Sequence, residues 1–212
     1  MDRKEKNIFV YSGKGSSFLD DLTFALERME INFSKIDERG VLNGRLDECD
    51  VLIVPGGWPQ KYSKNLGNKG FEKIRNFVKK GGKYIGICAG AYLASKRFSL
   101  DEKSFPGLGI ADIKARMEVK KFLPGKLREI ELVSGSSNTA KRMKIWFENG
   151  PKMTAKKSEI RANFENSGAA IVQSKYGKGS VLLFSPHPEG SIEGGIDPEK
   201  IGTIELLMSA IF

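Results

Sequence analysis

The first hundred residues alternate short, continuous apolar runs with longer amphipathic stretches, and no other feature constrains the fold as strongly. Apolar runs of this kind are typical of strands covered on both sides, and the stretches between them have helical periodicity. Strands that alternate with helices predict a parallel sheet with right-handed crossovers and helices on both faces. The predicted strands fall within 7–13, 31–37, 50–57 and 83–87.

The helical pattern is clearest between residues 14 and 29. Phe18, Leu22, Ala25 and Leu26 fall on one face of a helix, which predicts that this face packs against the sheet. We therefore expect the stretch to form the first helix of the fold.

The pattern changes after about residue 110, where short β-like runs replace the alternation. The segment YGKG (176–179) between two apolar runs predicts a hairpin, and Asp197 followed by Pro198 predicts the start of a C-terminal helix. No linker rich in Pro, Gly or Ser divides the chain. The sequence thus predicts one α/β domain over residues 1–212, with a mainly parallel, doubly wound sheet and additional β-strands in its second half.

The chain lacks the sequence signals of export and of membrane insertion. The apolar run after the charged N-terminus is too short for a signal peptide or a membrane span. The two cysteines, Cys49 and Cys88, form no paired framework, and no CxxC or Cys/His cluster suggests a metal site. We expect a cytoplasmic protein with reduced thiols, no membrane segment and no metal.

The net charge of +9 raises the question of a nucleic-acid partner. Basic residues concentrate in the windows 61–83, 114–128 and 141–157. The aromatic residues near these lysines follow core periodicity instead of forming a stacking platform, which favours solvated lysines over nucleic-acid contacts. A nucleic-acid-binding module stays an alternative, which the periodicity of the aromatic residues disfavours.

Cys88 lies within GICAG, between a predicted strand and a predicted helix. Small flanking residues at such a junction permit the tight turn of a nucleophile elbow, which presents one side chain above the sheet. The N-terminus of the following helix favours a thiolate there. The alternative is a buried structural cysteine, the commoner fate of a single cysteine.

The only histidine of the chain, His187, lies in PHPEG after an apolar strand. Pro186 and Pro188 end the strand, and the extended backbone places the Glu189 carboxylate on the same side as the imidazole. A carboxylate that fixes the tautomer leaves the other ring nitrogen to accept a thiol proton. The alternative is a partly exposed histidine in a proline turn.

The segment VPGGW (54–58) follows another predicted strand. Consecutive glycines let backbone N–H groups approach a ligand, so Gly56 and Gly57, together with Ala89, are candidates for an oxyanion hole. Taken alone, Pro-Gly-Gly is also an ordinary turn.

The segments DVLIVPGGW, YIGICAGAYLAS and SPHPEG, in this order, resemble the class I glutamine amidotransferase-like superfamily. Within it, CAGAY, FPGLG and YGKGSVLLFSPHPE are most similar to the N-terminal domain of eukaryotic-type biotin–protein ligases. The resemblance covers nearly the whole chain. It implies a flavodoxin-like sheet, Cys88 as the nucleophile, His187 as the base, Glu189 as its orienter, and backbone amides near Gly57 and Ala89 for the oxyanion.

Two departures from the superfamily bear on the function. Its glutaminases read G-x-C-x-G-x-Q, and the position of their glutamine holds Tyr92 here, which changes the shape of the pocket. No biotin-ligase catalytic domain or synthetase follows the resembling region, so we expect an acceptor or synthetase partner to act in trans.

The sequence thus predicts a cysteine amide hydrolase or amidotransferase-like enzyme with a small-molecule amide substrate, a thioester intermediate and no cofactor. The main alternative is a regulatory or binding domain that keeps the pocket without turnover.

Overall fold

The computed structural model describes residues 6–117, 122–133, 141–165 and 168–212. Part of the basic window 114–128, residues 118–121, lies outside the described residues. Five α-helices occur in the described residues. They are α1 (Leu19–Arg28), α2 (Glu38–Leu42), α3 (Pro59–Lys80), α4 (Ala89–Ala94) and α5 (Ile204–Ile211).

The strands of the described residues join one hydrogen-bonded sheet. They are β1 (Ile8–Tyr11), β2 (Ser34–Ile36), β3 (Val51–Val54), β4 (Lys83–Ile87), β5 (Arg97–Leu100), β6 (Lys103–Pro106), β7 (Ile113–Arg116), β8 (Lys126–Leu132), β9 (Arg142–Phe147), β10 (Lys152–Ala155), β11 (Glu159–Phe164), β12 (Ala169–Tyr176) and β13 (Gly179–Phe184). The order is β2-β1-β3-β4-β13-β12-β10-β7-β5-β6, with β11, β8 and β9 branching from β12.

The first five strands in this order are parallel and form the doubly wound part of the fold. Alternate residues of β1 point to opposite faces: Phe9 and Tyr11 pack with α3, whereas Ile8 and Val10 pack with α1 and α5. Helices thus cover both faces, and the expected α/β architecture is confirmed. We propose that the chain forms one domain, because the described strands share this sheet.

The later strands extend the sheet in antiparallel fashion. The expected hairpin is present: β12 pairs with β13 in full register, and Gly177 at its turn has a φ of 61°, which glycine adopts without strain. Since β13 also pairs in parallel with β4, this hairpin joins the additional strands to the parallel part.

Two local predictions are wrong. The C-terminal helix begins at Ile204 and not at Asp197, because the Asp197 carboxylate caps only a turn at Glu199 and Gly202 adopts a φ of 73°. Phe18 lies before α1 instead of on its face against the sheet, and its backbone N–H donates to the Gly56 carbonyl oxygen at 3.3 Å. No helix within the described ranges is long and apolar enough to cross a membrane.

Candidate active site

Cys88 occupies a strained turn between β4 and α4. Its φ of 48° is rare for a residue with a side chain, and a non-glycine residue adopts it only when the surroundings enforce it. A Cβ on Gly86 would lie 2.6 Å from the Gly90 carbonyl oxygen, and a Cβ on Gly90 would lie 2.2 Å from that of Val54. Both glycines are therefore required by close backbone approaches, as expected for an elbow.

The sheet fixes where the Cys88 side chain lies. Cys88 N–H donates to the Phe184 carbonyl oxygen at 2.8 Å, which completes the parallel pair of Ile87 with Phe184 at the end of β4 and β13. Cys88 is 5% exposed, and its Sγ atom lies 3.5 Å from the carbonyl oxygen of Glu148. Cys88 thus lies at the carboxyl edge of the parallel strands, where open α/β sheets bind their ligands.

His187 reaches the same edge from the end of β13. Its backbone N–H donates to the Trp146 carbonyl oxygen at 2.8 Å, and its ring packs against Phe18 with centroids 4.2 Å apart. A Cβ on Gly56 would lie only 2.6 Å from His187 Cε1. The VPGGW turn and the imidazole are therefore in direct contact, and only glycine fits between them.

His187 and Glu189 form a fully buried pair. His187 Nδ1 lies 2.9 Å from Glu189 Oε1, and neither side chain has exposed surface. Burial lowers the pKa of His187, but the Glu189 carboxylate and the Cys88 side chain raise this pKa by more, so that it stands well above its usual value. Burial raises the pKa of Glu189, and His187 offsets part of that rise. The pKa values of both side chains are raised, so the pair tends to hold a proton. A buried carboxylate without a counter-charge is costly.

The second ring nitrogen, His187 Nε2, is buried and has no hydrogen-bond partner among the described residues. The charge of the Cys88 side chain contributes to the raised pKa of His187, so the thiol and the imidazole are neighbours. The thiol donates to the Glu148 carbonyl oxygen at 3.5 Å, so Nε2 stays without a partner among the described residues.

The backbone N–H groups of Gly57 and Ala89, near Cys88, have no backbone acceptor among the described residues. Gly57 has a φ of 146°, and a Cβ there would lie 2.0 Å from the Gly15 carbonyl oxygen. Gly57 also lines a cavity together with Cys88. Both amides are therefore available to an oxygen bound in or beside this cavity.

Tyr92 lies one helical turn after Cys88 and is 1% exposed. Its hydroxyl donates to the Asn149 carbonyl oxygen at 3.2 Å. Both residues line the cavity at Cys88, whose volume is about 80 Å³. The aromatic side chain thus forms part of the cavity wall and ties it to the loop after β9.

The structure adds site residues that the sequence analysis did not single out. Phe18 packs on the imidazole, and the Glu148 carbonyl faces the thiol. The Asn149 side chain accepts from the Leu123 N–H and donates to the Leu123 carbonyl, each at 2.9 Å. Asn-Gly dipeptides such as that at 149–150 are a general turn signal. Nothing local indicated that this turn meets Cys88.

A metal centre is not formed by the part of the chain that the structure describes. No group of three or more His, Cys, Asp or Glu side chains is arranged there to hold an ion. The site instead combines a thiol, an imidazole–carboxylate pair and free backbone amides.

The amino-acid sequence of this chain is similar to those of known proteins. Residues 6–128, more than half of the chain, match the family described as biotin-protein ligase, N terminal. The chain is 28% identical to a biotin–protein ligase of Schizosaccharomyces pombe over 89% of its own length and 34% of that protein. It is 28% identical to pyridoxal 5'-phosphate synthase subunit PdxT of Koribacter versatilis, covering 68% of this chain and 71% of that one.

A solved glutamine amidotransferase from Thermotoga maritima shares the fold. Its TM-score is 0.62 at 14% identity, with 99% of this chain and 97% of that chain covered. The chain thus has a glutamine amidotransferase-like fold, and it spans about a third of the length of the biotin–protein ligase it matches.

Proposed function

Because this chain belongs to the biotin-protein ligase N-terminal family, within the glutamine amidotransferase-like fold, we propose that it cleaves an amide through Cys88, His187 and Glu189. The observation that carries the proposal concerns the two ring nitrogens of His187. Nε2 is buried beside the thiol and lacks a hydrogen-bond partner among the described residues, while Nδ1 is held by Glu189. A base oriented by a carboxylate and facing a nucleophile is the arrangement that acyl transfer requires.

The reaction begins when the Cys88 thiol gives its proton to His187 Nε2. The thiolate sulfur attacks the amide carbonyl carbon, and the carbonyl oxygen becomes an oxyanion held by the Gly57 and Ala89 N–H groups. The C–N bond breaks as the imidazolium returns the proton to the leaving nitrogen. Water activated by His187 then hydrolyses the thioester and releases the carboxylic acid.

Glu189 acts on this reaction through His187. Its carboxylate raises the His187 pKa, which stabilises the imidazolium formed when Cys88 loses its proton. Gly56 is proposed to hold the imidazole in place, because no larger residue fits against Cε1. Tyr92 is proposed to shape the amide-binding cavity.

A partner in trans belongs to the same proposal. The relative from Koribacter versatilis is named as a subunit of pyridoxal 5'-phosphate synthase. By analogy, we propose that ammonia or an amine released at Cys88 passes to a separate acceptor or synthetase protein.

The direct test measures ammonia release from glutamine and other carboxamides by the wild-type chain. Cys88→Ala removes the nucleophile and should reduce the rate to background, whereas Cys49→Ala serves as a matched control that keeps the activity. Release that persists in Cys88→Ala would contradict the mechanism.

A second candidate function is a binding domain without turnover. It is favoured by one observation: Tyr92 is buried in the cavity wall, and only about 80 Å³ remains beside Cys88. Such a domain would bind an amide without releasing ammonia, and its Cys88 would react with iodoacetamide no faster than a model thiol.

A further inference from the structure

Phe18 lies at the end of the loop that joins β1 to α1, and backbone hydrogen bonds fix its position. Its N–H donates to the Gly56 carbonyl oxygen at 3.3 Å, and its carbonyl oxygen accepts from the Leu22 N–H at 3.2 Å. The Trp58 N–H donates to the carbonyl oxygen of Gly15, in the same loop, at 2.9 Å. Phe18 is therefore held against the VPGGW turn and against the first turn of α1.

The Phe18 ring covers one face of the His187 imidazole. The two ring centroids lie 4.2 Å apart and the ring planes meet at 30°, which is closer to a stacked than to an edge-on arrangement. A Cβ on Gly56 would lie 2.6 Å from His187 Cε1 and 3.2 Å from Phe18 Cβ, so Gly56 closes the space beside both rings. Phe18 keeps part of its surface exposed, whereas His187 has none. The phenyl ring thus forms part of the cover over the imidazole.

Two charged groups act on the imidazole in the part of the chain that the structure describes. Glu189, on the same loop, and Cys88, on the elbow, raise the pKa of the imidazole, whereas burial lowers this pKa. The VPGGW turn contains no charged residue. Asp21, on α1, acts on Glu189, and Glu148 meets the thiol through its carbonyl oxygen. The imidazolium therefore depends on few charges in a site where burial disfavours it.

An aromatic face offsets part of what burial costs. The face of a phenyl ring carries partial negative charge and attracts a cation that lies within about 6 Å of the ring centroid. The Phe18 ring meets this condition for a protonated His187. A polar side chain in this position would compete with the thiol for Nε2, which has no hydrogen-bond partner among the described residues. Phe18 thus favours the imidazolium and leaves Nε2 open to the thiol.

We propose that Phe18 is a positioning residue of the active site: its ring holds the His187 imidazole in place and stabilises the imidazolium that forms when Cys88 gives up its proton. This inference rests on the proposed function, since it takes His187 as the base. The proton passes between the Cys88 sulfur and His187 Nε2, and Phe18 acts only by favouring its place on the ring.

The test uses the fact that His187 is the only histidine of the chain. Its ring protons give one titration curve by nuclear magnetic resonance, and a Cys88→Ala background removes the thiol that would titrate with it. Phe18→Leu keeps an apolar side chain and removes the aromatic face, so the proton-binding constant of the imidazole should fall about two- to fivefold, as expected for the loss of one cation–π contact. Phe18→Tyr keeps the aromatic face and should retain the constant of the parent protein.

Phe24→Leu, made in the same background, is the matched control. Phe24 lies on α1, is 43% exposed and packs against the Arg28 guanidinium. This exchange should leave the titration of His187 unchanged. An unchanged or larger proton-binding constant in Phe18→Leu would overturn the inference, because Phe18 would then only fill space or exclude water. A fall of the same size in Phe18→Tyr or in Phe24→Leu would overturn it as well.

Turnover by chains that retain Cys88 separates this inference from the proposed function. The kcat for ammonia release from glutamine should fall in Phe18→Leu and recover in Phe18→Tyr. Ammonia release by the wild-type chain, together with equal proton-binding constants in Phe18→Leu and its parent, would keep the mechanism and defeat the inference. A lower constant in Phe18→Leu with no ammonia release from any carboxamide would instead defeat the catalytic proposal and keep the effect of Phe18 on the imidazole.

Discussion

His187 Nδ1 and Glu189 Oε1 lie 2.9 Å apart in a pair with no exposed surface. Burial lowers the pKa of His187, but Glu189 and Cys88 outweigh it and raise this pKa well above the usual value of 6.5. The folded state therefore binds the proton more tightly than the unfolded chain does. The resulting stability is fully present below pH 6.5 and is lost as the pH rises through the folded-state pKa.

We accordingly expect the free energy of unfolding to fall as the pH is raised from 6.5 through the folded-state pKa of His187. In Glu189→Gln, burial without the carboxylate should lower the His187 pKa and favour the neutral ring, so the fall above pH 6.5 should disappear and the free energy of unfolding should instead rise with pH below 6.5. Urea unfolding of both proteins across a pH series measures the two slopes. Slopes of the same sign would contradict the pairing.

Glu189→Gln also tests catalysis. A neutral amide cannot stabilise the imidazolium, so kcat/KM for amide hydrolysis should fall by at least about 100-fold, the lower end of general acid–base contributions. Steady-state ammonia release at constant pH measures the loss. Glu205→Gln, an exchange in the first turn of α5, is the matched control and should retain activity. A Glu189→Gln variant that is as active as wild type would remove Glu189 from the mechanism.

The two cysteines of the chain provide an internal comparison of reactivity. Burial raises the pKa of Cys49 to about 12, which suppresses its thiolate. Cys88 should alkylate faster than Cys49 near neutral pH, although its side chain is only 5% exposed and Cys49 is more accessible. Mass spectrometry after timed exposure to iodoacetamide gives both rates. Faster labelling of Cys49 would mean that Cys88 is not activated.

Substitutions of Tyr92 separate its hydroxyl from its volume. Tyr92→Phe removes the hydrogen bond to Asn149 and should lower the free energy of unfolding by about 1 kcal/mol. Tyr92→Gln installs the residue that the resembling glutaminases carry and enlarges the cavity, so kcat/KM for free glutamine should rise. No rise in Tyr92→Gln, with the fold intact, would show that Tyr92 does not limit access of glutamine.

Gly56→Ala tests the contact between the VPGGW turn and the imidazole. The new Cβ would lie 2.6 Å from His187 Cε1, and the required adjustment should cost about 1–3 kcal/mol of stability and displace the base. The rate of ammonia release should fall by more than the decrease in the folded fraction of the protein accounts for. Gly82→Ala is the control: its Cβ would meet the Phe77 ring at 2.2 Å, a comparable clash away from the site. Equal activity in the two variants would argue against a role for Gly56.

Much of the fold followed from residues close together in the chain. The apolar runs predicted β1, β3 and β4, and small residues around Cys88 predicted the strained turn that the structure contains. The sequence PHPEG predicted a contact between the Glu189 carboxylate and the imidazole, and the structure has that contact, but residues 187–190 form a turn and not the expected extended segment. These features depend on local backbone geometry, which the sequence expresses directly.

Tertiary structure alone decided how distant segments meet. Cys88 adjoins the His187 loop because β4 pairs in parallel with β13, with Ile87 opposite Phe184. Phe18 stacks on His187 instead of packing on a helix face, and Asn149 meets Tyr92 from another strand. The periodicity of the apolar residues indicates which side of each helix or strand is buried. The order of the strands depends on the free energy of the whole packed sheet and cannot be determined from a single segment. This order decides which side chains are neighbours at the sheet edge.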